Sequence, residues 1–179
     1  MVATRTKELV QSSLPFASSK ATPKATPKAT SKATSSKSKP TPTKSSTDVC
    51  LGIKSEFASL IREGTKNHEY RRYKLRDTVK RLWLYEVTPV MAITTVIEVT
   101  KAKVPGEIQD PTGIGNDDFD AGKKVSKYGY GVKAVWKLKV PIKASEMRSR
   151  FGLAPPQSFI YMTEKVLEEV KLEDQEKLI

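Results

Sequence analysis

The chain of 179 residues has one cysteine and one histidine, and no apolar run approaches the ~20 residues that a membrane-spanning helix needs. A single cysteine, Cys50, excludes an internal disulfide and a cysteine-based zinc site, and it suits a reducing compartment. The single histidine, His68, supports neither a zinc site nor a Ser-His-Asp triad. We therefore expect no metal, no cofactor and no membrane partner.

Large apolar residues are scarce in the first 49 positions. From Ser18 to Val49 there is no Leu, Ile, Phe, Tyr or Trp, and four Lys-Ala-Thr-Pro/Ser tetrapeptides follow one another over residues 20–35. Such a segment cannot bury enough apolar surface to offset its backbone entropy. The sequence predicts that residues 1–49 form a disordered, basic, low-complexity tail.

Residues 50–179 differ from the tail in composition, because they hold both Trp, all six Tyr and most of the branched aliphatic residues. About 130 residues are enough for one domain with a hydrophobic core. We therefore predict one folded domain over residues 50–179, and we expect it to be a monomer.

Positive charge is present in both parts. The formal charge is +12; the tail has nine Lys/Arg against two acids, and the domain has 23 against 18. Residues 62–81 alone carry eight basic residues against three acids. This distribution favours a nucleic-acid partner, although the tail charge has two other interpretations, solubility and protein partners. The Lys-rich repeats favour the nucleus or the cytoplasm, and an acid-poor, Ser/Thr-rich N-terminus leaves a mitochondrial transit peptide open.

Apolar spacing predicts short helices around several strands. Phe57, Leu60 and Ile61 recur at helical spacing, and Gly64 suits the position after a helix end. The strand with the clearest alternation, Tyr128–Val140, is long enough to curve, and two glycines allow a bend. Strands without βαβ alternation predict an α+β fold, a small, mostly antiparallel β-barrel with flanking short helices. The predicted strands are 69–73, 82–87, 90–99, 128–140 and 158–162. The predicted helices are 55–63, a short helix through Asp120 capped by Asn116, 144–150 and a C-terminal helix capped by Thr163.

Unlike charges are concentrated between the first helix and the next strand, over Gly64–Arg71. The pattern there, Gly-x-Lys-x-x-Glu-x-Arg, resembles the signature of the ASCH domain, a member of the PUA-like group of β-barrels. Three further segments are similar to the family: Leu51–Lys54, Trp83–Pro89 and Tyr128–Tyr130. The resemblance covers residues 50–162. It implies a PUA-like barrel that binds RNA or another nucleic acid, and a few members of the family hydrolyse modified nucleosides.

Lys66, Glu69 and Arg71 are the main candidates for a binding site. Glu69 can accept hydrogen bonds from a base edge, such as a cytosine amino group, while Lys66 and Arg71 hold phosphate or neutralise Glu69. The alternative is a structural ion pair that only orients the loop. Period 2 places Tyr73 on the same face as Glu69 and Arg71, and therefore makes it the candidate for base stacking. Trp83 and Tyr85 are expected in the core.

Arg72 extends the basic stretch together with Lys74, Arg76, Lys80 and Arg81. These residues either follow a nucleic-acid backbone or form a solvated edge. Two other functions remain open, a regulatory adaptor and a small amidohydrolase acting on a modified nucleoside. In the enzyme interpretation, Lys66 matches the catalytic lysine of the family's hydrolases. Glu69, however, stands where those hydrolases have a threonine nucleophile, so we favour binding over catalysis.

Overall fold

Seven strands and four α-helices make up residues 42–179, the part of the chain that this computed structural model describes. The predicted disorder of residues 1–41 lies outside this range. A three-residue 3-10 helix, Leu172–Asp174, precedes the last strand. In chain order the elements are β1 (Lys44–Ile53), α1 (Ser55–Arg62), β2 (His68–Arg71), β3 (Arg81–Glu86), β4 (Ala92–Lys103), α2 (Asn116–Asp120), β5 (Tyr128–Lys143), α3 (Ala144–Phe151), β6 (Phe159–Thr163), α4 (Glu164–Glu169) and β7 (Glu176–Lys177).

The strands form one curled sheet in the order β2-β5-β4-β3-β1-β6, and β7 pairs with β5. Strands β1 and β3 run parallel, and the other pairs in the described residues are antiparallel. The sheet curls into a half-barrel whose two ends are β2 and β6. The predicted α+β fold with a mostly antiparallel, PUA-like barrel is confirmed.

Alternating side chains give the sheet two buried faces. In β3, Leu82 and Leu84 pack into the cluster under α1, whereas Trp83 and Tyr85 pack into the cluster under α3 and α4. Strand β1 divides in the same way, because successive residues of a strand point to opposite faces. Trp83 and Tyr85 are both buried, as predicted. The cluster under α1 lies next to β2 and therefore next to the Gly64–Arg71 segment.

The domain begins earlier than predicted, since residues 44–49, expected in the tail, form the first half of β1. The carboxylate of Asp48 is fully buried and accepts hydrogen bonds from Arg81 Nε at 2.6 Å and Trp83 Nε1 at 2.9 Å. Burial would raise the pKa of this carboxyl, but the bonds from Arg81, Thr47 and Trp83 outweigh burial and hold the pKa below its usual value. Hydrogen bonds to Asp48 therefore hold this segment in the sheet. Because the segment is poor in large apolar residues, its composition predicts a tail instead of a strand.

Strand β5 contains a β-bulge that the sequence did not reveal. Val132 and Ala134 pair with the consecutive β4 residues Val99 and Glu98, so Lys133 has no counterpart on β4. One extra residue in a strand moves every side chain that follows it to the opposite face of the sheet. The predicted single-face alternation through thirteen residues is therefore wrong beyond the bulge.

Two other details of β5 differ from expectation. The strand continues to Lys143 instead of ending at Pro141. Gly131 lies at a close approach, since a Cβ atom there would lie 3.1 Å from both His68 Nε2 and Thr100 Oγ1. The glycine therefore lets β5 pair tightly with β2.

Candidate functional site

The Gly64–Arg71 segment connects α1 to β2 and is fixed by its backbone. Gly64 follows the helix end with φ +79°, a left-handed conformation that favours glycine. The amide of Lys66 donates to the Leu60 carbonyl at 3.0 Å, and the Asn67 carbonyl accepts from Val132 at 2.8 Å. These bonds direct the side chains of the motif inward.

The structure brings Lys66, Glu69 and Arg71 together in one buried triad. Glu69 Oε1 lies 2.8 Å from Arg71 Nη2, and Oε2 lies 3.3 Å from Lys66 Nζ. The Lys66 and Glu69 side chains are each 7% exposed, and that of Arg71 is 17% exposed. Burial lowers the pKa of the Lys66 ammonium, and Glu69 offsets only part of this effect. One largely buried carboxylate thus faces two largely buried cations.

Two adjoining cavities, which together we call the cleft, open beside the triad. The larger cavity has a volume of about 460 Å³ and the smaller about 310 Å³. They share three lining residues, Tyr70, Arg72 and Ser126. The other residues of the larger cavity are Phe57, Lys66, Glu69, Ile114, Gly115, Lys123, Lys124 and Val125. The other residues of the smaller cavity are Gly52, Arg71, Tyr73, Gln157 and Ser158.

Tyr70 belongs to the cleft, although period 2 places it on the opposite face from the site. Its ring stacks on Phe119 at a centroid distance of 4.9 Å, and Lys66 Nζ lies 4.3 Å from the ring centroid. Lys124 Nζ lies 5.2 Å from the same centroid. Strand β2 itself ends at Arg71, two residues earlier than predicted. Tyr70 therefore forms the wall between the two cavities.

Tyr73 lines the smaller cavity, but part of its surface is already in contact with protein. Its hydroxyl donates to the Ser158 carbonyl at 2.9 Å, and its ring centroid lies 5.0 Å from that of Phe159. Arg71 Nη2 makes a comparable bond to the Gly52 carbonyl at 2.9 Å. The first bond spans the segments flanking β2 and β6, and the second joins β2 to β1. The stacking role of Tyr73 stays a prediction.

The basic stretch that follows the motif does not form one surface. Arg72 lines the cleft, whereas Arg81 pairs with buried Asp48. Lys74 pairs with Asp77 at 3.2 Å on the exposed surface. Of the five residues in this stretch, Arg72 alone lines the two cavities.

Sequence reasoning missed the segment just before β5. Lys123, Lys124, Val125 and Ser126 all line the larger cavity. Their position follows from strand pairing, because Tyr128 at the start of β5 pairs with Arg71 at the end of β2. A correct pairing of these two strands would have placed residues 123–126 beside the motif.

A hydrogen-bond network holds the 104–127 connection against β2. Asn67 Nδ2 donates to Asp110 Oδ2 at 2.8 Å, and Asn67 Oδ1 accepts from Asn116 Nδ2 at 3.0 Å. Asn116 Oδ1 in turn accepts a bond from the Tyr70 hydroxyl. His68 Nδ1 lies 2.8 Å from Asn67 Oδ1, so the histidine donates through Nδ1. This network supports the wall of the cleft from behind.

Burial lowers the pKa of His68, and the nearby Lys103 adds to this effect. The imidazole Nε2 is buried and has no hydrogen-bond partner among residues 42–179. His68 therefore packs in β2 as a neutral side chain. Within residues 42–179, no cluster of three His, Cys, Asp or Glu side chains could hold a metal ion. In the same range, no helix is long and apolar enough to cross a membrane.

Comparison with known proteins places the described domain among ASCH folds. Neither a protein-family model nor a curated protein matches the sequence. Three crystal structures of ASCH from Zymomonas mobilis are similar in fold. A serine-to-alanine mutant superposes with a TM-score of 0.56 at 16% identity, covering 74% of this chain and 99% of that one. A tyrosine-to-phenylalanine mutant gives 0.55 at 16% identity over 68% and 94%, and the ASCH structure without a stated substitution gives 0.54 at 17% over 70% and 94%. The fold expected from the Gly64–Arg71 motif is confirmed.

Proposed function

We propose that this protein binds nucleic acid, RNA in preference to DNA, in the cleft beside the Lys66–Glu69–Arg71 triad. Arg72 and Tyr73 line the same cleft and complete the contact surface predicted from sequence. Tyr70 and Lys124 join them on the evidence of the geometry. The basic tail adds sequence-independent attraction to phosphate.

The charge imbalance of the cleft carries this proposal. Five cations line the two cavities against one carboxylate, Glu69. An excess of positive charge in a concave surface attracts a polyanion and releases its counterions. The five cations are Lys66, Arg71, Arg72, Lys123 and Lys124.

Glu69 gives the cleft a means of selecting among bases. Each carboxylate oxygen accepts more than one hydrogen bond, so pairing with Lys66 and Arg71 leaves acceptor capacity. The two cations contact one oxygen each and fix the orientation of the carboxylate. A base amino group that reaches Glu69 is thereby favoured over a carbonyl at the same place.

Binding is proposed in preference to hydrolysis because Glu69 stands where the family's hydrolases have a threonine nucleophile. It is the only carboxylate that lines the cleft within residues 42–179, and two cations contact it. The described lining therefore offers no second carboxylate with which Glu69 could share acid–base chemistry. Lys66 in turn donates to the His68 carbonyl, which further reduces its availability.

Salt-dependent binding of single-stranded RNA by the full-length protein tests the proposal. Arg72→Gln and Lys124→Gln each remove one positive charge from the cleft, and Lys139→Gln removes one from an exposed site on β5 outside it. Each cleft variant should lower the slope of log affinity against log salt by about 0.7–0.9, as expected for one lost phosphate contact. The measurement is fluorescence anisotropy at several salt concentrations.

The Lys139→Gln control shows whether the salt slope depends on the position of the lost charge or only on the net charge of the protein. Lys139→Gln should leave the slope within error of the original protein. Equal slopes for all three variants would show that the tail or the overall charge is responsible, and the proposal of a cleft site would then be wrong.

A further inference from the structure

The two cavities of the cleft differ in chemistry. The larger one has apolar residues at its rim, namely Phe57, Ile114 and Val125, which are 40%, 50% and 68% exposed. Exposed apolar side chains around a cationic cavity fit a ligand that is flat and apolar on its faces and polar at its edges. A nucleobase has this character, and stacking on an aromatic ring is the usual way to hold one.

Phe57 is the aromatic ring at that rim with exposed surface. The ring of Tyr70 is in contact with Phe119 and two lysines, and that of Tyr73 is in contact with Phe159. Phe57 stands on α1, where Ala58 and Ile61 are buried in the core and Leu60 is half-buried. Its exposure is thus a departure from the amphipathic pattern of the helix, at the edge of the larger cavity.

The smaller cavity is polar and has no carboxylate in its lining. Arg71, Arg72, Gln157 and Ser158 surround it, together with two tyrosines. Arg71 Nε is buried and has no hydrogen-bond partner within the described part of the chain. Arg72 has no carboxylate partner within residues 42–179, and Arg71 uses Nη2 for both Glu69 and the Gly52 carbonyl. The remaining donors of these two guanidinium groups are suited to a phosphate oxygen.

We infer that the cleft holds two consecutive parts of a single strand, an unpaired base stacked on Phe57 in the larger cavity and the adjoining phosphodiester in the smaller cavity. Tyr70 and Arg72, which line both, mark the step from base to phosphate. This inference rests on the proposed function and narrows it to a ligand of at least two nucleotides. A base within a duplex is excluded, since its faces are stacked on neighbouring pairs.

Competition against a fluorescein-labelled eight-nucleotide RNA of mixed sequence tests the inference on the full-length protein. The competitors are the four nucleosides, the dinucleoside monophosphates ApA, CpC, GpG and UpU, and the same octamer unlabelled, as a single strand and as a duplex. At least one dinucleoside monophosphate should compete about tenfold better than its nucleoside, because it alone brings the phosphodiester. The single strand should compete better than the duplex.

Two substitutions address the cavities separately. Phe57→Leu removes the ring but keeps apolar surface. It should lower the affinity for the dinucleoside monophosphate at least about fivefold, whereas Phe57→Tyr, which keeps an aromatic ring, should not. Gln157→Glu places a negative charge at the exposed edge of the smaller cavity. It should lower the affinity for the dinucleoside monophosphate about fivefold and leave the affinity for the nucleoside unchanged. Val140→Glu, at a residue of β5 that is 76% exposed and lines neither cavity, is the matched charge control.

Three results would overturn the inference while leaving RNA binding intact. They are a nucleoside that competes as well as its dinucleoside monophosphate, a duplex that competes as well as the single strand, and equal effects of Gln157→Glu and Val140→Glu. Failure of the labelled octamer to bind at any salt concentration would instead overturn the proposed function itself.

Discussion

Asp48 and Glu69 are both buried carboxylates, yet their surroundings differ in charge. Asp48 pairs with a single cation, Arg81, and its other donors are neutral groups such as Trp83. Glu69 faces two cations. The first arrangement is balanced and holds β1 against β3, while the second leaves a residual positive charge beside a cavity. This difference separates a structural ion pair from a candidate binding site.

Glu86 follows the pattern of Asp48. Its carboxylate lies 2.7 Å from Arg62 Nη1 and accepts a hydrogen bond from the Thr94 hydroxyl at 2.6 Å. Asp48, Glu69 and Glu86 are the buried carboxylates of residues 42–179, and Glu69 is the one with two cationic partners. Because burying an unbalanced charge is unfavourable, a function is the better explanation for the exception.

The largest effect is expected at the balanced pair. Asp48→Ala leaves Arg81 without its partner and the buried Trp83 indole N–H without an acceptor. Removing one member of a buried pair costs about 3–5 kcal/mol, and the partial exposure of Arg81 places the expected loss of unfolding free energy at the lower end. Urea denaturation measures this loss. RNA affinity of the folded fraction should be unchanged, and a change in base preference would contradict the structural role.

A smaller loss of stability is expected for Glu69→Gln, about 1–3 kcal/mol. Lys66, whose pKa is already lowered, can release its proton when the carboxylate is removed, whereas Arg81 cannot lose its charge. Discrimination among single-stranded RNAs should fall, because the base-selecting acceptor is gone. The same denaturation and anisotropy measurements apply. A stability loss as large as that of Asp48→Ala, with base preference intact, would assign the triad to structure alone.

As the pH falls, His68 should begin to lower the free energy of unfolding at a higher pH than the carboxylates do. The folded-state pKa of His68 lies below its ordinary value of 6.5, so the unfolded chain binds the proton first as the pH falls. Stability is then constant above pH 6.5 and decreases below it, by at most about 1.4 kcal/mol per pH unit, until the folded-state pKa is reached. Asp48, with a lowered pKa, contributes only nearer pH 4.

Unfolding free energy measured between pH 7 and pH 5 tests this assignment. His68 is the single histidine of the chain, so His68→Asn, which keeps a donor near Asn67 Oδ1, should remove the slope in this range. A variant that keeps the full slope would show that another group is responsible.

The smallest effect concerns the tail. Deletion of residues 1–41 should change the unfolding free energy by no more than about 0.5 kcal/mol, since the composition of that segment offers little to bury. Deletion of residues 1–49 should abolish cooperative unfolding, because it removes half of β1 and Asp48. Thermal melts of the two proteins, compared with the full chain, check both expectations. A large loss from the shorter deletion would show that the tail packs on the domain.

Local signals in the sequence predict most elements well. Helix α1 is predicted over 55–63 and observed as Ser55–Arg62, because apolar spacing and Gly64 both mark its end. Helix α2 ends at Asp120 as predicted, but Asn116, which is expected to cap it, is its first residue, and Gly115 occupies the cap position. Thr163 is expected to cap the last helix with its side chain, and it does not make that bond.

Errors arise where structure depends on contacts between distant residues. The bulge at Lys133 is visible only once β5 is paired with β4, so alternation alone gives the wrong face. Likewise, Lys124 reaches the cleft because β5 pairs with β2, and no local pattern encodes that pairing. The triad itself is predictable from spacing, whereas its burial and its charge balance are not.

The bonds from Arg71 to Gly52 and from Tyr73 to Ser158 give the cleft a mechanical role. They join β2 to β1 and a residue just beyond the end of β2 to the residue before β6, across the opening of the half-barrel, and the smaller cavity lies at this junction. A molecule bound in the smaller cavity would contact both sides of this opening at once and hold them together. Occupancy should therefore suppress opening fluctuations of the half-barrel, so that amide hydrogens of β2 and β6 exchange more slowly with solvent while those of central β3 are unaffected. Ligand and fold are coupled through this junction without any change in strand order.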